Sequence, residues 1–157
     1  MYSGITMSLF RLPEEFIEWR LDMPGPVNIL NEQAIREWGE ALDALEQTPG
    51  IRGVVITSGK NSFIAGADIK GFPSVFSGSE HSIEQWAANC QELCNRIETL
   101  PFPSVVAIER FALGGGLEFA LSADYRVITH GSSLALPEVT LGLCPGWGGS
   151  VRLSRLM

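Results

Sequence analysis

Three short apolar runs do most to limit what this chain can fold into. They are Gly53-Val-Val-Ile-Thr-Ser58, Ser104-Val-Val-Ala-Ile108 and Tyr125-Arg-Val-Ile-Thr129. Runs of this length and β-branched character suit strands buried on both faces, and such strands need helices to cover the sheet. The segments around them supply those helices. Residues 32–47 place Ala34, Ile35, Trp38, Ala41, Leu42 and Leu45 on one face, with Asn31 as N-cap, Glu32 in the first turn and Pro49-Gly50 as the stop. Residues 81–100 do the same with Ile83, Trp86, Ala87, Cys90, Leu93, Cys94, Ile97 and Leu100, and Pro101 and Pro103 end them. Gly114-Gly-Gly116 opens a short helix over 115–123. Residues 5–12 and 15–21 read as strands joined by a turn at Pro13-Glu14. Residues 133–136 read as a fourth buried strand, and Gly-rich 146–149 leads into a last helix. This alternation predicts an α/β fold with a parallel core and right-handed crossovers.

Charge removes several function classes. The chain of 157 residues has a formal charge of −7, which argues against a general nucleic-acid or anionic-membrane binder. Lysine occurs only at Lys60 and Lys70, which flank Phe63-Ile-Ala-Gly-Ala-Asp-Ile69. That placement suits an anionic ligand, although two surface lysines fall there equally well by chance. Cys90, Cys94 and Cys144 form no CxxC pair and His81 and His130 show no ligand spacing, so neither a disulfide framework nor a metal site is expected. No apolar run reaches the ~20 residues that cross a bilayer. The N-terminus alternates like a strand rather than a signal peptide, so a cytoplasmic protein is expected.

The segment Ala112-Leu-Gly-Gly-Gly-Leu-Glu-Phe-Ala-Leu-Ser-Ala-Asp124 carries the strongest chemical signal. Glycines before a helix leave its first N–H groups unshielded, and such donors stabilise developing negative charge. Glu118 follows one turn later between Leu117 and Phe119. A carboxyl in apolar surroundings tends towards a raised pKa, which suits proton transfer near neutral pH. The competing reading is a solvated acid on a helix surface. Glu138 follows Pro137 after the strand 133–136, and the intervening chain can return it to the same end of the sheet. Its competing reading is an ordinary acid at a helix start after proline. The small residues of 63–69 let a ligand approach the backbone, or form an ordinary tight turn. Neither the GGGLE nor the GWGGSV segment fits G-x-G-x-x-G, and no phosphate-binding P-loop or G-x-S-x-G is present.

Taken together, FIAGADIK (63–70), ALGGGLE (112–118), LPE (136–138) and LGLCPGWGGSVRL (141–153) resemble the crotonase (enoyl-CoA hydratase/isomerase) superfamily. Within it, the similarity is greatest to the N-terminal hydratase region of the multifunctional fatty-acid oxidation complex alpha subunit. The resemblance implies a crotonase-like (ClpP/crotonase) spiral of ββα turns. Residues 1–157 would be the N-terminal, C-terminally truncated part of one hydratase/isomerase domain. It implies that Glu118 and Glu138 position water and shuttle the proton, and that the N–H groups of Ala67 and Gly115 form an oxyanion hole. It further implies that Ala65, Gly66, Asp68 and Lys70 contact coenzyme A. The activity implied is hydration of trans-2-enoyl-CoA in β-oxidation, with Δ3-Δ2-enoyl-CoA isomerisation beside it. Coenzyme A is part of the substrate, and no separate cofactor or metal is implied. The implied partners are an acyl-CoA thioester and other subunits, either copies of the chain or a thiolase. One departure stands out: Glu109-Arg110 occupies a place where family members usually carry Asn-Gly. The competing functional readings are an inactive fragment and a non-catalytic subunit.

Overall fold

The computed structural model describes residues 2–73 and 77–157. Two strands, β1 (Met7–Arg11) and β2 (Phe16–Leu21), form an antiparallel pair across a 3-10 turn at Pro13–Glu15. Helix α1 (Glu32–Glu46) follows, then β3 (Gly53–Ser58), α2 (Glu80–Glu98), β4 (Ser104–Ile108), β5 (Phe111–Leu113), α3 (Gly115–Leu121), β6 (Tyr125–Ile128), β7 (Ser133–Ala135) and α4 (Gly149–Leu156). Asn31 caps α1 as expected, its Oδ1 accepting from the Ala34 N–H at 2.9 Å.

The main sheet runs β1-β2-β3-β4-β6 and is parallel from β2 onward. A second, smaller layer starts from the parallel pair β5–β7. Single parallel bridges, Leu30 to Ala67 and Ile64 to Ala112, extend that layer. The repeat is then visible. β2 is followed by the segment ending at Leu30 and by α1; β3 by 64–67 and α2; β4 by β5 and α3; β6 by β7. Each turn lends one strand to the main sheet and one short segment to the small one. This is the spiral of ββα turns.

Trp19, Trp38, Phe63 and Phe119 are buried together, with the Trp38 and Phe119 rings 4.9 Å apart. Such contacts hold an aromatic ring in orientation as well as burying area. Phe119 thereby fixes the rotation of α3 about its axis, and with it the direction of the neighbouring Glu118. Asn28 is buried and joins successive turns: it accepts from the Met23 N–H and donates to Ser58 Oγ and the Phe63 carbonyl.

Two strand expectations need correction. Residues 125–129 are not buried on both faces. Among the described residues β6 is an edge strand, paired only to β4, with Tyr125 64% and Val127 63% exposed. Residues 133–136 do not join the main sheet: β7 pairs with β5, an element of three residues whose sequence carries no run long enough to mark it. Helix ends also move inward, with α2 stopping at Glu98 and α3 at Leu121.

Candidate active site

The segments of the small layer run parallel, so the loops leaving them lie side by side at one end. These loops carry Ala67, Gly115 and Glu138. A Cβ added at Gly66 would lie 3.2 Å from the Leu113 carbonyl, so the 65–67 backbone passes directly against the end of β5. The Gly114 N–H donates to the Ala135 carbonyl at 2.9 Å, joining the next loop in turn.

The bridge at Ala67 uses its neighbours. The Leu30 N–H donates to the Gly66 carbonyl and the Asp68 N–H donates to the Leu30 carbonyl, each at 2.9 Å. Alternate N–H groups of an extended chain point to opposite sides, so that of Ala67 faces away from Leu30. Among the described residues neither the Ala67 N–H nor the Gly115 N–H donates to a protein acceptor. Gly115 is packed too closely for any side chain, since a Cβ there would lie 2.6 Å from the Trp147 ring.

Glu118 is 2% exposed, which removes the reading of a solvated surface acid. Its Oε1 accepts from the N–H groups of Trp147 and Gly149, both at 2.8 Å. Among the described residues Oε2 has no protein donor. Burial pushes the Glu118 carboxyl above the ordinary glutamate value; the two amide donors pull it down, the charge of Glu138 pushes it up and Arg152 pulls it down. Glu138 opens a 3-10 turn after Pro137, as its position after proline suggests. Its side chain nevertheless points inward: Oε1 would lie 2.9 Å from a Cβ added at Gly114, and Oε2 is buried with no hydrogen-bond partner among the described residues. Among the described residues the fold thus brings together Oε2 of Glu118 and the carboxyl of Glu138, to which no protein group donates, beside two unengaged main-chain donors.

The remaining expected site residues are arranged less closely. Ala65 and Asp68 are half-buried, and the Ala65 N–H is occupied by the Asn28 carbonyl. Asp68 Oδ1 accepts from the Lys70 N–H at 3.1 Å, and the Lys70 side chain lies in solvent. Lys60 does not belong to this group, because its ammonium pairs with Asp22 at 2.6 Å. A cleft of about 490 Å³ bounded by Leu30, Arg36, Asp68 and Trp86 adjoins the loop. The larger cleft, about 670 Å³ between α1 and α2, touches neither glutamate. No metal-holding cluster of His, Cys, Asp and Glu occurs among the described residues. Cys90 and Cys94 are buried, while Cys144 is exposed.

Sequence reasoning overlooked the support of Glu118 by the amides at 147 and 149. The signal was present in the glycines of 146–149, but only the fold brings that loop to α3. Glu109-Arg110 forms the bend between β4 and β5, where the Phe111 N–H donates to the Glu109 carbonyl at 2.7 Å. Arg110 takes φ 58°, a left-handed conformation that a glycine enters more easily, and its carbonyl accepts from the Ser133 N–H at 2.7 Å.

Residues 13–157 match the family model described as enoyl-CoA hydratase/isomerase. The chain belongs to the enoyl-CoA hydratase/isomerase family. Solved structures agree with that membership and with the crotonase fold. An enoyl-CoA hydratase from Bacillus anthracis is 30% identical, with a TM-score of 0.86, over 96% of this chain and 58% of its own. One from Geobacillus kaustophilus HTA426 is 29% identical, with a TM-score of 0.89, over 99% and 58%. One from Thermoplasma volcanium GSS1 is 26% identical, with a TM-score of 0.87, over 98% and 60%. The chain therefore spans somewhat more than half the length of these family members.

Proposed function

We propose that this chain carries the hydration site of an enoyl-CoA hydratase, with Glu118 and Glu138 as its acid/base pair. The observation that carries this reading is the pairing of unengaged carboxyl oxygens on both glutamates with two unengaged backbone donors at one end of the small layer. The thioester oxygen of a trans-2-enoyl-CoA accepts from the N–H groups of Ala67 and Gly115. One glutamate takes a proton from water as its oxygen bonds to C3. The C2–C3 π electrons move towards the thioester carbonyl, forming an enolate whose charge the two amides hold. The second glutamate gives its proton to C2. Losing one such backbone donor typically costs on the order of 100- to 1000-fold in rate.

Isomerisation of a Δ3 double bond uses the same enolate but needs only one base. The presence of two carboxyls favours hydration as the principal reaction. The matching motifs at 55–69 and 136–153 support a β-oxidation setting, in a subunit of a fatty-acid oxidation complex. In this reading Ala65, Gly66, Asp68 and Lys70 meet coenzyme A, which arrives as part of the substrate.

The test is hydration of crotonyl-CoA, followed by loss of the enoyl absorbance, on this chain and on a longer chain of the relatives' length. Glu118→Gln and Glu138→Gln should each lower kcat by roughly 10²–10⁴-fold. A folded Glu118→Gln protein with near-normal rate would refute the assignment.

A further inference from the structure

Glu118 is only as well placed as the loop that holds it, and that loop is itself gripped from behind. Arg152, on α4, is 8% exposed. Its Nη1 donates to the Trp147 carbonyl at 2.9 Å, its Nη2 to Asn95 Oδ1 at 2.7 Å, and its Nε to Glu98 Oε2 at 3.1 Å. The Trp147 carbonyl belongs to the peptide between residues 147 and 148. The amides that donate to Glu118 belong to the peptides immediately before and after it. Gly148 takes φ 101°, and a Cβ there would strike the Arg152 guanidinium. The turn thus folds around the guanidinium, with one peptide facing Arg152 and its two neighbours facing Glu118.

We infer that Arg152 is a positioning residue for Glu118, acting through the Trp147–Gly149 turn and anchored by Asn95 and Glu98 of α2. This rests on the proposed role of Glu118 in hydration. The guanidinium suits the task chemically. It is planar, permanently charged and forked, so it can serve three acceptors at fixed angles, which a lysine ammonium cannot reproduce. A buried cation also needs compensation, which Glu98 supplies at 3.0 Å. If the fork is lost, the 147–148 peptide is free to turn and the two amides no longer converge on Oε1. Its positive charge, which directly favours the carboxylate, is lost as well.

A purely structural link between α4 and α2 would change stability alone, so the decisive readout is Glu118 itself. The carboxyl titrations of 13C-labelled glutamates are followed by NMR in the full chain, with Glu118 identified by its absence from Glu118→Gln. Arg152→Gln should move the Glu118 midpoint to higher pH. The same substitution should lower the crotonyl-CoA hydration kcat on the order of 100-fold, the cost of a small misplacement of a catalytic group, with KM little changed. Arg152→Lys should give a smaller movement in the same direction. An unchanged Glu118 midpoint in folded Arg152→Gln overturns the inference. If circular dichroism shows that this variant does not fold, Asn95→Leu removes one anchor and keeps the charge. An upward shift there supports the inference, and none overturns it. If the wild-type chain fails to hydrate crotonyl-CoA while the Glu118 midpoint still follows Arg152, the hydratase reading falls and this linkage stands.

Discussion

Glu118 is held in a position that costs the fold stability. Its pKa in the folded chain lies above the ordinary glutamate value, chiefly because of burial, so between those two values the folded state binds more protons than the unfolded one. Stability therefore falls as pH rises through that window, and the loss is complete only above the raised folded-state value. Glutamine keeps the oxygen that accepts from Trp147 and Gly149 and removes the buried charge beside Glu138. Glu118→Gln should accordingly melt at a higher temperature than the wild type on the alkaline side of that window, while losing activity. The gain should vanish under acid, where the wild-type carboxyl is already protonated. Thermal melts of both proteins across the pH range test this, and a Tm difference that fails to grow in favour of Glu118→Gln as pH rises would contradict it. The burial of Glu118 was legible in its apolar flanks, Leu117 and Phe119. The inward turn of Glu138 was not, because an acid after proline at a helix start is common without any catalytic role.

At the scale of elements, the strands of the main sheet and its two long helices could be located from apolar runs, period and punctuation, but the edge place of β6 and the absence of β7 from this sheet could not. Helix α1 was readable to within a residue because its cap, apolar face and Pro-Gly stop all agree. The small layer could not be read in the same way. Its pieces are one to three residues long, held by bridges such as Leu30 to Ala67 and Ile64 to Ala112, and no sequence period marks so short a strand. Yet this layer places the site, and glycines fix its tight contacts with α3. A Cβ added at Gly116 would lie 2.7 Å from the Ile64 Cβ and 2.8 Å from the Ile64 carbonyl. Backbone cannot give way as a flexible side chain does, so Gly116→Ala should destabilise the fold by roughly 1–3 kcal/mol. Denaturant unfolding checks this. A loss within about 0.5 kcal/mol, typical of a surface substitution, would mean that α3 does not press on the 64–67 segment as described.

The whole molecule is unevenly finished. Its buried core is continuous, but Tyr125, Val127 and Ile128 on the edge strand β6, with Val139 and Leu141 beyond it, lie in solvent. An open strand edge with apolar side chains is a template for association. The 125–129 run looked like a central strand because its composition is that of one; what it lacks here is a neighbour on its outer side. The isolated chain should therefore self-associate as its concentration rises, and Tyr125→Lys with Val127→Lys should reduce that association in light scattering. Equal association of the doubly substituted chain would place the contact elsewhere. At the end of the small layer the N–H groups of Ala67 and Gly115, which donate to no protein acceptor among the described residues, are free to donate to a thioester oxygen. The carbonyl stretch of crotonyl-CoA labelled with 13C at C1, recorded by difference infrared spectroscopy, reports that contact directly. Binding to the catalytically slowed Glu118→Gln chain should lower the stretching frequency relative to free ligand, because the donors are backbone groups that the substitution leaves in place. A bound thioester with an unshifted carbonyl would contradict the account.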